Sequence, residues 1–195
     1  MIERDFEWHN IPWNEHYNKY CNPTVTTTLL QKAVPLLKYT GWCVDEIKEG
    51  FCQSKIPVKD ATTNQHATLQ SSTFFLAADY TGGIALYTLL RGLPTFGVHP
   101  VEDGEGISLW LIRSELKFKK PGTSDLKISS CVSKDKIDKI RDRFFTRKPV
   151  IERLEVTFEN DGYIISKGFM TYFAQLMSYE DWLKNASGLN LIDAD

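Results

Sequence analysis

The chain has 195 residues, of which 42% are hydrophobic and 12% aromatic, and its formal net charge at pH 7 is −2. That length is enough for one well-buried core and short for two, so a single domain is expected. The small net charge excludes a global electrostatic attraction to nucleic acid or to an anionic membrane, and any argument from charge must be local.

The absence of several short motifs argues against further classes of protein. The sequence has neither a phosphate-binding P-loop nor a G-x-G-x-x-G turn, which argues against the common nucleotide-dependent enzymes. Its cysteines form no C-x-x-C pair, its histidines have no metal-ligand spacing, and its N-terminus is too polar for a signal peptide. We therefore expect a cytoplasmic protein with no metal and no cofactor.

The first sixty residues are expected to form segments that flank the core, followed by the first extended runs of the sheet. Residues 1–22 are rich in aromatic side chains, which predicts a segment that packs its rings over the body of the protein. Residues 24–38 have the apolar spacing of a helix that Pro35 kinks or shortens, and their narrow apolar stripe suggests a lid or a flanking helix. Two short runs follow, over residues 42–47 and 50–58, and they fit either a hairpin or one long bent strand.

Residues 61–90 are thirty residues with one formal charge, that of Asp79. This profile predicts a buried central helix, and the polar and glycine residues within it argue against a membrane span. An unpaired carboxylate in such surroundings costs on the order of several kcal/mol, so Asp79 needs a partner, a raised pKa or access to a cleft. Asp79 is therefore a candidate site residue. The alternatives are a buried structural carboxylate and the N-cap of a second helical segment.

The rest of the chain predicts an antiparallel sheet. Residues 91–106 combine glycine, proline and an acidic run, a composition more typical of a solvated connection than of a substrate lid. Strands are predicted over residues 107–118, 124–132, 150–159 and 163–176, with a helix over 135–145 and a capped short helix after residue 178. One long apolar helix followed by such strands is an α+β arrangement in which a curved sheet wraps the helix.

Residues 64–83, NQHATLQSSTFFLAADYTGG, resemble the central-helix motif of hotdog-fold acyl-CoA thioesterases of the phenylacetyl-CoA thioesterase type. That motif is close to N-x-H-x-[TS]-x-H-G-G-x5-A-D-x3-[GA]. Its offsets are matched without gaps by Asn64, His66, Thr68, Ala78, Asp79 and Gly83. Gln70-Ser71-Ser72 replace the His-Gly-Gly of the family, a departure that bears on catalysis more than on the fold.

The resemblance implies a hotdog fold and a set of catalytic residues. Asp79 would serve as general base or nucleophile, and Ser71 and Ser72 would offer backbone N–H groups to an oxyanion at the helix N-terminus. Gln70 would add a side-chain donor in place of the family's histidine. Asn64 would orient the water or the carbonyl from the opposing half of a dimeric site.

Substrate-binding residues are predicted on weaker grounds. His66 and Thr73 would contact the substrate or the nucleophile, although His66 is equally explained as a turn residue. Residues 117–148 hold eleven Lys or Arg and four Asp, a local excess of seven positive charges. That run includes Lys134, Lys136 and Lys139. These lysines form either a solvated helix face or a binding surface, which would accept the phosphates of coenzyme A or an acidic carrier protein.

The expected protein is thus an acyl-thioester hydrolase that acts on acyl-CoA or acyl-carrier-protein substrates by water attack assisted by a helix carboxylate. The domain would comprise an N-terminal extension and flanking helix (1–40), a hotdog core (41–176) and a tail (177–195), assembled as a homodimer or a tetramer. A non-catalytic hotdog module that binds an acyl chain or an acyl carrier is the alternative. A dehydratase is a third option, but it needs a histidine facing the helix and His66 precedes the helix. No nucleic acid partner is expected.

Overall fold

The protein forms one six-stranded antiparallel sheet around a single long helix, in a computed structural model that describes residues 13–90 and 93–188. The strands are β1 Cys43–Lys48, β2 Phe51–Ile56, β3 Glu105–Phe118, β4 Leu126–Cys131, β5 Val150–Asn160 and β6 Tyr163–Ser178, in the sheet order β1-β2-β4-β5-β6-β3. The helices are α1 Trp13–His16, α2 Pro23–Ala33, α3 Pro35–Thr40, α4 Ser71–Tyr87, α5 Lys134–Phe145 and α6 Tyr179–Gly188. The predicted α+β class and the predicted sheet around a helix are confirmed.

Helix α4 is the centre of the core because it contacts all six strands of the sheet. Its second half, from Ala77 onward, is buried except at Asp79 and Tyr80, as its apolar composition predicts. The helix is shorter than the apolar stretch, however. Residues 60–70 form a 3₁₀ turn and a polar loop closed by a bridge between Thr63 and Leu69, since short polar side chains favour turns over helix.

Two prolines determine where helices α2 and α3 begin. Helix α2 begins at Pro23, after an N-cap in which the Asn22 side chain accepts a hydrogen bond from the backbone N–H of Thr24. Val34 is extended (φ −130°, ψ 90°), as expected for a residue that precedes proline, and Pro35 then starts α3. The helix predicted over residues 24–38 is present, and it is broken at Pro35 as predicted.

The strand predictions hold to within a few residues. Asp161 (φ 49°) and Gly162 (φ 79°) adopt left-handed conformations in the predicted turn between β5 and β6. Among the six strands β3 pairs with β6 alone, and a short parallel bridge between Thr95 and Ile107 covers the start of its other edge. At the end of β6, the Ser178 hydroxyl accepts the N–H of Asp181 and caps α6 as predicted.

The interpretation of residues 91–106 as a solvated connection is wrong for residues 93–96. Leu93, Thr95 and Phe96 are buried, and the ring of Phe96 stacks on Trp182 of α6 at 5.2 Å. Gly97, Pro100 and the acidic run around residues 102–104 are exposed. The apolar side chains of residues 93–98 cover the side of α4 that the sheet leaves open. The prediction failed because glycine and proline content carries no information about burial.

The aromatic N-terminal segment is described from residue 13. Trp13 and Tyr17 pack against the core as predicted, and residues 1–12 lie outside the described residues. Within the described ranges, no helix is long and apolar enough to cross a membrane.

Candidate active site

A cavity of about 320 Å³ lies beside the second half of α4. The cavity is bounded by α4, by strands of the sheet and by elements outside the sheet. Helix α2 contributes one wall through Leu29 and Leu30, and residues 95–99 of the loop contribute another. Leu109 and Leu111 of β3 form the floor beside α4. The cavity is therefore mostly apolar, a common property of small-molecule sites.

Asp79 is the acidic side chain on the wall of this cavity. Burial raises the pKa of its carboxyl from 3.8 to about 6, because a poorly hydrated environment penalises the charged form. No ion pair or hydrogen bond to this carboxylate is found within the part of the chain that the structure describes, and burial is the sole cause of the shift. A carboxylate with these properties is ionised at pH 7 and is a stronger proton acceptor than an exposed aspartate.

The other polar side chains of the cavity are neutral at pH 7. Burial raises the pKa values of the Tyr80 and Tyr172 hydroxyls, and the neighbouring Asp79 charge raises them further. Burial lowers the pKa of His99 below its ordinary value, while its Nδ1 accepts the backbone N–H of Thr95 at 3.0 Å. Among the described lining residues none is Lys or Arg. The cavity therefore offers one negative charge and no positive charge to a ligand.

The Tyr172 hydroxyl bonds to α4 at the turn that carries Asp79. It donates to the backbone carbonyl of Asp79 at 2.6 Å and lies 3.3 Å from the carbonyl oxygen of Ala78. The tyrosine can approach this closely because Gly82 has no side chain, so Gly82 is the site of close approach by β6. Tyr172 thus fixes the backbone of the residue that holds the carboxylate.

This contact predicts opposite effects of alanine at the two glycines. A Cβ at position 82 would lie 3.0 Å from Cε2 of Tyr172 and still closer to its hydroxyl, so Gly82→Ala should lower the free energy of unfolding by about 1–3 kcal/mol. At position 83 the nearest atom is 3.6 Å away, an ordinary contact, so Gly83→Ala is the matched control. It should be neutral or stabilise the helix by up to about 1 kcal/mol. Urea unfolding of both variants measures the difference, and equal stabilities would contradict the described packing.

Solved structures with the same arrangement of sheet and helix include thioesterases. A Pseudomonas aeruginosa protein with an inferred thioesterase assignment is 14% identical and has a TM-score of 0.62, covering 80% of this chain and 97% of that chain. A Shewanella oneidensis protein with the same inferred assignment is 14% identical (TM-score 0.59; 76% and 94% covered). A Pseudomonas aeruginosa thioesterase, solved as a Gln→Ala variant, is 10% identical (TM-score 0.56; 78% and 93% covered).

The chain has the hotdog fold. At these identities the likeness establishes the fold and no more. Neither a protein-family profile nor a curated protein matches the sequence.

Within this hotdog domain, the predicted oxyanion donors are distant from Asp79. Gln70 is the N-cap of α4 and makes no side-chain capping bond, and Ser71 and Ser72 are exposed in the first turn. Ser71 precedes Asp79 by eight residues, which is about 12 Å along the helix axis. None of the three lines the cavity of Asp79. A single chain therefore holds Asp79, the predicted base, and the predicted donors at separate places.

The loop before α4 is closed by its own hydrogen bonds. The Asn64 side-chain oxygen accepts the backbone N–H groups of His66 at 2.9 Å and Thr68 at 3.3 Å, and its nitrogen donates to the Thr68 hydroxyl at 3.0 Å. Asn64 and Ser71 border a separate depression of about 410 Å³. His66 is exposed, and the buried Thr73 hydroxyl donates to the carbonyl of Thr62 at 3.4 Å. These three predicted residues are not brought into the cavity of Asp79.

The predicted basic surface lies on α5, at the opposite end of the central helix from Ser71. Ile137 of α5 packs at Gly50, next to Leu89, which follows the C-terminus of α4. Lys134 and Lys139 are exposed, whereas Lys136 pairs with Glu152 at 2.5 Å. None of the three lysines lines the cavity of Asp79. Their role in binding phosphates or a carrier stays a prediction.

The sequence analysis missed the residues that shape the cavity around Asp79. His99 belongs to the loop interpreted as solvated, and Tyr172 is separated from Asp79 by more than ninety residues. Neither is part of the matched motif. The one sequence signal for this region was the narrow apolar stripe of residues 24–38. In the described ranges, no group of three or more His, Cys, Asp or Glu side chains is placed to hold a metal ion.

Proposed function

We propose that the protein hydrolyses acyl thioesters, carried by coenzyme A or by an acyl carrier protein. The observation that carries the proposal is the carboxylate of Asp79, which has no described cationic partner and lies on the wall of an apolar cavity. Maintaining such a group costs stability, and uncompensated carboxylates of this kind occur mainly where a function requires them. The hotdog fold shared with solved thioesterases supports the same reaction class.

In the proposed reaction Asp79 acts as general base. It removes a proton from a water molecule whose oxygen attacks the thioester carbonyl carbon, and the carbonyl oxygen becomes an oxyanion. Collapse of this intermediate re-forms the carbonyl and breaks the C–S bond. The thiolate that leaves receives the proton held by Asp79, so water and thioester yield a carboxylic acid and a thiol.

A second copy of the chain would supply the oxyanion donors. Ser71, Phe75 and Asp79 recur every four residues along the least covered stripe of α4, and Phe75 is 38% exposed. A two-fold axis that crosses the helix near Phe75 would bring Asp79 of one copy opposite Ser71 of the other, because each lies four residues from Phe75. The outer edge of β3 beyond Ile107 pairs with no other described strand, and this edge favours the same kind of association. We therefore propose a homodimer with two shared sites.

The pH dependence of hydrolysis tests the role of Asp79. A general base works in its deprotonated form, so kcat/KM for octanoyl-CoA should rise about tenfold per pH unit below the pKa of about 6 and level off above it. The release of free thiol between pH 4.5 and 8 measures this profile, with circular dichroism to verify folding at each pH. Binding of the thioester without any turnover would instead indicate the non-catalytic hotdog module. Turnover that is independent of pH over this range would exclude Asp79 as the base.

A further inference from the structure

We propose that the cavity beside Asp79 accepts an uncharged, apolar acyl group of about ten non-hydrogen atoms, and that helix α2 sets this length limit. The inference rests on the proposed function, because it takes Asp79 as the position of the reacting carbonyl. It adds the chemical class of the substrate and the element of this chain that selects it.

The volume of the cavity sets the size of the acyl group. A volume of about 320 Å³ holds roughly ten groups of the size of a water molecule, taking about 30 Å³ for each. A methylene group is of similar size, so an octanoyl chain or a substituted benzoyl group fills the cavity. A palmitoyl chain is too long to enter without displacing a wall.

The lining determines the polarity of the acyl group. Asp79 is the only charged side chain among the described lining residues, and it is negative. An acyl group with a second carboxylate would meet this charge without a Lys or Arg to compensate, which costs on the order of several kcal/mol in an apolar environment. Aliphatic and aromatic side chains, including Leu30, Ile84 and Leu109, provide most of the remaining contact. Neutral hydrocarbon is the complementary ligand.

Helix α2 is a fixed wall because hydrogen bonds tie it to β1. The backbone N–H of Val44 donates to the Thr27 hydroxyl at 2.9 Å, and the Gln31 side-chain amide donates to the carbonyl of Trp42 at 2.8 Å. The Asn22 cap holds the first turn of the same helix. A wall held at its middle and near its end does not retreat easily to admit a longer chain. Leu29 lies on this wall without being fully buried, so it can be shortened with little loss of core packing.

The test compares acyl-CoA substrates of four to sixteen carbons on four proteins. Wild type should show its highest kcat/KM near eight carbons and a decrease of at least tenfold for palmitoyl-CoA and for glutaryl-CoA. Leu29→Ala should move the optimum to chains longer by two or more carbons, and Val98→Phe, on the opposite wall, should move it to shorter chains. Leu36→Ala is the matched control, because Leu36 is an exposed leucine of α3 that does not line the cavity. Its profile should equal that of wild type.

Equilibrium binding separates the failure of this inference from that of the proposed function. The dissociation constants of the same acyl-CoA series are measured with the Asp79→Asn variant, which needs no turnover. A binding optimum near eight carbons without hydrolysis by wild type would overturn the hydrolase and support the cavity assignment. An optimum at palmitoyl-CoA, or an optimum that Leu29→Ala and Val98→Phe leave unchanged, would overturn the assignment whether or not hydrolysis occurs.

Discussion

Mixed dimers of two inactive variants, Asp79→Asn and Gln70→Ala, are expected to regain thioester hydrolysis. Gln70 lies at the helix N-terminus with no side-chain capping bond, and Asp79 is about 13 Å further along the same helix. If each site combines Asp79 of one protomer with Gln70 of its partner, a mixed dimer holds one site with both native residues and one with neither. Random exchange of subunits should therefore restore about a quarter of wild-type activity, because half of the dimers have one intact site out of two.

The experiment depends on each variant being inactive alone and able to exchange subunits. Loss of an oxyanion donor should lower kcat of Gln70→Ala by about 10²–10³-fold, and circular dichroism with light scattering should find both variants folded and dimeric. Differently tagged subunits verify the exchange. A mixture of Asp79→Asn with wild type serves as the control. No recovery after verified exchange would place the whole site within one protomer, and a monomer by light scattering would exclude a shared site.

The fold could be predicted from the sequence because the patterns that indicate its helices, strands and turns involve residues close together in the chain. Three such features are the continuous apolar stretch that contains Asp79, the proline that separates α2 from α3, and the Asn-Asp-Gly turn between β5 and β6. The structure agrees with all three. The loop after α4 was wrongly interpreted because its composition resembles a surface loop, while Phe96 in fact packs against α6, a helix more than eighty residues later in the chain.

The candidate site could be predicted only in part, for a related reason. Asp79 was identified because a single charge in an apolar helix is conspicuous in the sequence. The cavity around it is assembled by α2, the loop with His99 and the hydroxyl of Tyr172, which are distant in the chain. The bonds that engage Asn64 within its own turn likewise depend on three-dimensional geometry. Local spacing therefore identified the carboxylate but not its surroundings.

Replacing Asp79 by asparagine should abolish most hydrolysis while making the folded protein more stable above pH 6. Loss of a general base should lower kcat/KM by about 10²–10⁴-fold, since asparagine cannot accept the proton. Burial raises the pKa of the folded protein to about 6 from 3.8, so the folded state binds more protons than the unfolded state between these pH values. Wild type therefore loses stability as the pH rises from about 4 to about 6, and asparagine avoids this loss.

The gain in unfolding free energy of Asp79→Asn over wild type should increase through that window to at most about 3 kcal/mol at pH 8. If Asp79 were instead a structural carboxylate, Asp79→Asn would lower the free energy of unfolding, because the hydrogen-bond partners of the carboxylate would be left unsatisfied. Asp103→Asn is the matched control, since Asp103 is an exposed acid of the loop after α4. It should change neither activity nor the pH dependence of stability.

The most direct test is the rate of thiol release from octanoyl-CoA at pH 8, measured side by side for wild type, Asp79→Asn and Asp103→Asn. We predict turnover by wild type and Asp103→Asn at equal rates, and a rate at least a hundredfold lower for a folded Asp79→Asn protein. Equal rates for wild type and Asp79→Asn, or no turnover by wild type above the spontaneous rate, would contradict a thioester hydrolase that uses Asp79 as its base.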